Sequence, residues 1–162
     1  MGSVSLDILN KDNLPRQCGT CTKCCEGYLT ADINGYDIYP GQPCYLLKKD
    51  VGCQDYDNRP DFPCKSFECF WILEKEMPEE FKPSISGSIT QYRNEGGFEF
   101  LLITYAGKDL DVRLLTWSII FCKIRNFGIV WAIDNNVYWN GSDEFCTYMF
   151  EGAWKNLSLG KK

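Results

Sequence analysis

Ten cysteines and no histidine govern what this chain can fold into. Eight of the ten fall between Cys18 and Cys69, and only Cys122 and Cys146 lie beyond. Such a density signals disulfides, bound metal or redox chemistry. The missing histidine removes Ser-His-Asp and Cys-His catalytic sites and any His-ligated zinc or haem. General acid–base work would fall to Asp, Glu, Lys or Tyr. The opening MGSVSLDILNKDNLPRQ has no basic stretch followed by an apolar one, so it does not read as a secretory signal. The disulfide reading thereby loses its oxidising compartment, and a cytoplasmic protein is expected.

The spacing favours metal. Cys18-Gly19-Thr20-Cys21-Thr22-Lys23-Cys24-Cys25 holds two overlapping C-x-x-C pairs, Cys18/Cys21 and Cys21/Cys24. Each pair puts two thiolates on one tight turn, where both reach one ion. Cys24 and Cys25 are adjacent, so their side chains diverge toward different sites or different metals of one cluster. Cys44, Cys53, Cys64 and Cys69 follow at wider intervals. Eight thiols suffice for two four-cysteine sites, or for one iron–sulfur cluster plus one zinc. Which four belong together is left open by the spacing. Inert structural thiols would not fall into this pattern. A thioredoxin-like pair at Cys21 and Cys24 has no surrounding βαβ unit.

These residues resemble the CxxCxxCC cysteine-cluster family, the YkgJ-like zinc- or iron-chelating domains. The resemblance runs from Cys18 to about Leu73. Its pieces are Cys18-x-x-Cys21-x-x-Cys24-Cys25, Gly41-x-Pro43-Cys44-x-x-Leu47, Cys53-x-x-Tyr56-x-x-Arg59-Pro60 and Cys64-x-x-Phe67-x-Cys69-x-Trp71. Three residues, Asp61, Phe62 and Pro63, precede Cys64 where the family pattern has two. The resemblance implies metal binding and brings little defined activity. Some members carry iron–sulfur clusters, and one branch joins the domain to a flagellin lysine methylase. No G-x-G-x-x-G fingerprint occurs here.

Around the thiols, Arg59 is a candidate partner of the metal ligands. A four-thiolate zinc site is doubly negative, and a guanidinium beside it donates N–H bonds to sulfur. Tyr56, Phe67, Phe70 and Trp71 are placed to shield a cluster from water, or simply to pack. Asp55, Asp57 and Asp61 read as solvated, and Glu26 as a solvated neighbour of Cys25. Cys122 and Cys146 have no second cysteine at ligand spacing and are expected outside the site.

The fold expected is α+β: an irregular, cysteine-rich, metal-organised region over 1–80, then a small β-β-α-β-β layer over 81–162, the two having separate cores or sharing one. Glycine and proline punctuate the first region, where 64–76 is the best helix. In the second, strands are expected at 85–92 and 98–105 around Gly96-Gly97. Val112, Leu115, Ile119 and Cys122 repeat at helical spacing over 110–126, with Gly128 as cap. Two more strands flank Asp134-Asn135-Asn136. Seventeen basic against 22 acidic residues leave a net charge of −5, which argues against a nucleic-acid partner. No apolar run is long enough to span a bilayer, so no membrane role is expected. The function expected is a small metal-binding protein holding zinc and/or an iron–sulfur cluster, with a structural or partner-binding role. The alternative is an iron–sulfur redox protein. The sequence names metal ions as partners and no protein partner.

Overall fold

The computed structural model describes residues 16–49, 51–67 and 69–157, so the leader reading of the first fifteen residues lies outside them. The first region is built from short pieces, as its glycines and prolines dictate. Ala31–Ile33 (β1) and Tyr36–Ile38 (β2) pair antiparallel about Asn34-Gly35, both at positive φ. Leu47–Lys48 (β3) and Gly52–Cys53 (β4) form a second pair of two residues each. Two wide turns, Cys24–Tyr28 and Asp61–Lys65, carry cysteines between them.

The helix expected over 64–76 is not formed as such. Cys69 is extended and bridges to Gln91 at the edge of the large sheet, which breaks any helix at that residue. A single turn, Phe70–Leu73 (α1), follows, and Glu74 is extended again. Pro83–Ser86 makes another single turn (α2), opened by its proline and closed by Gly87 in the left-handed region. The strand expected from 85 therefore begins at Ser88.

The remainder is a four-stranded sheet in the order β5-β6-β7-β8: Ser88–Glu95, Phe98–Tyr105, Gly128–Ile133 and Asn136–Asn140. The outer pairs are antiparallel, and β6 and β7 run parallel, with Leu101 opposite Ile129. A parallel pair requires a crossover, and helix Val112–Arg125 (α3) supplies it. The α+β class and the β-β-α-β-β order are present in the structure.

Successive residues of a strand face opposite sides. Leu101, Ile103 and Ile129 face α3, joining Leu114, Phe121 and Cys122. Phe100, Leu102 and Val130 face the other way, onto Phe145 and Met149 of a helix not expected from the sequence, Asp143–Phe150 (α4). The α3 cluster also takes in Cys69, Phe70, Trp71, Ile72, Met77 and Phe81, so residues on both sides of 80 pack together. Two details of α3 differ from expectation. Val112 is 71% exposed, and the buried face runs through Leu114, Ser118, Phe121 and Cys122. Asn126, at φ 59°, closes the helix; Gly128 instead begins β7, where a Cβ would lie 2.4 Å from the Phe145 ring. Among the described residues no helix is long and apolar enough to cross a membrane.

Candidate functional site

The first cysteine loop is tightened by local hydrogen bonds. The Cys21 N–H donates to the Cys18 carbonyl (3.0 Å), and the Glu26 N–H to the Thr22 carbonyl (2.9 Å). Gly27 sits at φ 97° beneath the end of β2. A Cβ there would lie 2.0 Å from the Tyr39 carbonyl oxygen, so this close crossing requires glycine. Next along the same crossing, the Cys44 N–H donates to the Cys25 carbonyl (2.8 Å). Glu26 is not the solvated neighbour expected. Burial raises its carboxyl, but hydrogen bonds from Lys23 (2.8 Å) and Thr22 (2.7 Å) bring it below its ordinary value.

Cys24 and Cys25, although adjacent, differ in the thiols that act on them most. Burial, then the charges of Cys69, Cys18, Cys21 and Cys25, hold the Cys24 thiol well above its ordinary value. Cys25 is pushed up to about 12, first by burial and then by Cys44, Cys53 and Cys64, with Cys18 the weakest contributor. Cys64 is raised by burial and by Cys44 and Cys53, while Arg59 draws it down. Cys69 is pushed up to about 12 by burial and by Cys21 and Cys18. Cys24 thus feels mainly Cys69, Cys18 and Cys21, and Cys25 mainly Cys44, Cys53 and Cys64, with Cys25 also acting on Cys24 and Cys18 on Cys25.

Packing divides them in the same way. Cys69 is buried in the α3 cluster, and Cys18 packs against it. Cys44 forms a separate small cluster with Ile33 and Ile38, on which Cys25 and Cys64 pack. Cys53 lies opposite Leu47, which packs on that cluster too. No disulfide joins any of the ten cysteines. The thiols stand within electrostatic reach and are not closed on a common centre: among the described residues, no three or more Cys, Asp or Glu side chains form a set that could hold a metal ion. As a donor set, eight sulfurs without imidazole suit zinc or an iron–sulfur cluster.

Polar support differs between the groups. The backbone N–H groups of Trp71 and Ile72 favour the Cys69 thiolate against its burial, and the Ile72 N–H donates to the Cys69 carbonyl (2.8 Å). Arg16 lies 4.7 Å from the centre of the Trp71 ring and donates to the carbonyls of Trp71 (3.1 Å) and Lys75 (2.9 Å). Lys82 Nζ lies 4.8 Å over the same ring, and a Cβ on Gly19 would be 3.8 Å from it. Trp71 Nε1 is buried without an acceptor. In the second group Arg59 stacks over Tyr56 at 3.9 Å and donates to its carbonyl (2.7 Å), within reach of Cys64.

Of the expected shielding residues, Phe70 and Trp71 are buried and Phe67 is packed on the core, whereas Tyr56 is 52% exposed. Asp55 accepts from Asn58 (2.8 Å) and Asp61 pairs with Lys65 (3.2 Å), both at the surface. Cys122 is buried on α3, where burial pushes its thiol up to about 12, and Cys146 Sγ lies 3.9 Å from the Gly141 carbonyl. Sequence reasoning did not single out Arg16 or Lys82. Arg16, two residues before Cys18, had a local signal; Lys82 reaches the first loop only through the fold. Comparison with family models, curated proteins and solved structures found no match.

Proposed function

We propose that this chain is a small metal-binding protein of the cytoplasm that holds zinc and/or an iron–sulfur cluster through its eight clustered thiols. The observation that carries this is the gathering of thiols in two places, Cys18 and Cys69 on the main core and Cys25, Cys44 and Cys64 at a separate small cluster. The spacing of the same cysteines, which resembles that of CxxCxxCC cysteine-cluster domains, points the same way. Cys18, Cys21, Cys24 and Cys69 would hold one metal, and Cys25, Cys44, Cys53 and Cys64 the other. Two four-thiolate sites joined by one peptide bond repel each other electrostatically. Arg16 and Lys82 near the first set, and Arg59 near the second, offset that charge. A saturated zinc site of this kind supplies structure, so the role is scaffolding or the binding of a partner. An acidic chain does not suit a nucleic-acid partner.

A second reading, an iron–sulfur redox protein, draws on the surroundings of Cys69. Nearby dipoles and charge tune cluster potentials, and the Trp71 and Ile72 N–H groups with Arg16 and Lys82 lie on that side. Metal and sulfide analysis of anaerobically purified protein separates the two. About two zinc ions per chain in colourless protein fits the first, and iron with acid-labile sulfide in brown protein fits the second. Eight titratable thiols with no bound metal would reject both.

A further inference from the structure

We infer that the free edge of the large sheet, strand β8, is a dimerisation surface. Its partner is the same strand of a second copy of this chain, running antiparallel about a two-fold axis at Tyr138. The two edges of the sheet are finished differently. At β5 the Cys69–Gln91 bridge occupies part of the edge, and the strand ends in the charged pair Arg93 and Glu95. At β8 there is no such cover: among the described residues, no backbone hydrogen bond leads from 136–140 to anything but β7. Natural sheets blunt an open edge with lysine, proline, a bulge or an inward charge. Asn136-Val137-Tyr138-Trp139-Asn140 contains none of these, and its register with β7 runs unbroken from Asn136 opposite Ile133 to Asn140 opposite Ile129.

Charge, symmetry and backbone geometry point to a second copy as the occupant. The chain carries a net charge of −5, yet 135–142 holds no charged residue. Two acidic copies meet at least electrostatic cost along such a segment. About Tyr138 the strand is nearly a palindrome. An isologous pairing sets Asn136 against the second copy's Asn140, and Val137 against its Trp139. Asp134 and Asn135, at φ 50° and 65°, make a two-residue turn whose closing pair, Ile133 and Asn136, exchanges hydrogen bonds. Bonded and unbonded pairs then alternate, so Val137 and Trp139 turn their N–H and C=O groups outward. The register about Tyr138 joins these same groups across the axis, and leaves the two Tyr138 residues as a closely spaced unbonded pair. Apolar surface lies beside the axis. Trp131 and Tyr138 stack at 5.9 Å on the face toward α3, and Tyr138 and Ile133 are each 44% exposed. A standard interface takes about 20–30 residues a side. Five strand residues with this strip are far fewer, so the dimer is weak and concentration-dependent.

Sedimentation velocity of the full-length protein under reductant tests this. Monomer is expected at low micromolar concentration and a growing share of dimer toward millimolar. The share should be larger at high salt, where the repulsion between two acidic copies is screened. Exchange protection of the Val137 and Trp139 amides should rise with protein concentration in step. Val137→Pro removes one outward donor per copy while keeping the β7 ladder, and should weaken association about tenfold. If that variant does not fold, Tyr138→Lys and Tyr138→Glu carry the test. Each sets like charges opposite one another and should be monomeric, and mixing the two should restore the dimer because opposite charges then face. Wild-type protein that stays monomeric at every concentration would overturn the inference. Amide protection in that monomer would assign the edge to the chain's own residues, and a foreign strand bound there would do so to another partner. A dimer unmoved by these variants would place the interface elsewhere, as on the exposed Ile120 and Ile124 of α3, and would overturn it equally. A lysine–glutamate mixture that remains monomeric would refute the axis at Tyr138.

Discussion

The two regions of this molecule reach order by opposite routes. In the sheet, strands of up to eight residues bury side chains on both faces, and Phe100, Leu101, Ile129 and Val130 are each at most 1% exposed. Each such side chain contributes about 1.5–3 kcal/mol on burial. In the cysteine region between 24 and 65, the core cluster is Ile33, Ile38 and Cys44. Three residues of that size do not offset the conformational entropy of some forty ordered ones, at about 1–2 kcal/mol each for the backbone. The lesson is that the first region has few buried side chains of its own, and on the proposed metal-binding reading its gathered thiols would supply the cross-links.

The largest test of this contrast is metal removal. Structural zinc contributes about 10–16 kcal/mol of apparent binding energy in finger peptides. Chelation should therefore abolish amide-exchange protection between 21 and 65 while Leu101–Ile103 and Ile129–Val130 stay protected. Uniform loss across the chain would show that the sheet depends on the metal as well. Phe70→Ala comes next, because Phe70 follows Cys69 and packs edge-on against Phe121 at 5.3 Å. Deleting a buried phenyl ring costs about 3–5 kcal/mol. The melting temperature should fall, while the small cluster of Ile33, Ile38 and Cys44 keeps its exchange protection.

Smaller effects sharpen the comparison inside the cysteine region. Gly27→Ala places a methyl against the Tyr39 carbonyl and a non-glycine residue at φ 97°. The backbone strain alone costs about 1–3 kcal/mol. Metal retention at Cys25 and Cys44 should drop, with the sheet's exchange pattern unchanged. Arg59→Ala should weaken metal binding in the second set by about 10–100-fold in a chelator competition. Lys65→Ala, which removes a surface pair with Asp61, should cost at most about 1 kcal/mol of stability and leave affinity near wild type. If Lys65 proves the more damaging site, Arg59 serves only to stack on Tyr56.

How much could be read without coordinates also follows the regional divide. Local rules placed Phe98–Tyr105, the Asp134-Asn135 hairpin turn with both residues at positive φ, and the body of α3. They failed where distant residues decide. Cys69 lies in a helical-looking run, but its bridge to Gln91 holds it extended. Asn126 took the cap because an asparagine tolerates the left-handed region one residue past the helix, and Gly128 was needed for the Phe145 ring. Helix α4 escaped notice although Ser142 caps it and Glu144 and Asp143 follow. Its apolar face, Phe145 and Met149, is only one turn long. The cysteines proposed as ligands could be picked out from the C-x-x-C run and from the wider spacing of the other four. Which thiols neighbour one another could not, because Cys44, Cys53, Cys64 and Cys69 lie 19 to 45 residues from Cys24 and Cys25 and meet them only through the fold.

The smallest predicted effect lies in the sheet region and should leave the thiols untouched. Asp111 caps α3, accepting from the Arg113 N–H at 2.8 Å and from its guanidinium at 2.7 Å. Asp111→Ala should cost about 0.5–2 kcal/mol, with metal content unchanged. Hydrogen bonds from the Arg113 side chain, then from its backbone N–H, hold the Asp111 carboxyl below its ordinary value. A carboxyl lowered on folding stabilises the native state above its unfolded pKa, and that contribution is lost as pH falls through the folded one. Asp111→Asn keeps an acceptor for the cap and lacks the titration. Its stability deficit relative to wild type should therefore shrink as the solution is acidified below about pH 4. Acid also protonates the thiolates, but does so in both proteins alike, so the difference between their urea midpoints isolates the cap. A deficit that stays constant with pH would mean that the charge on Asp111 contributes nothing. A loss of metal from Asp111→Asn at neutral pH would show that the helix and the thiol sets are coupled, and the separation of the two regions would fall.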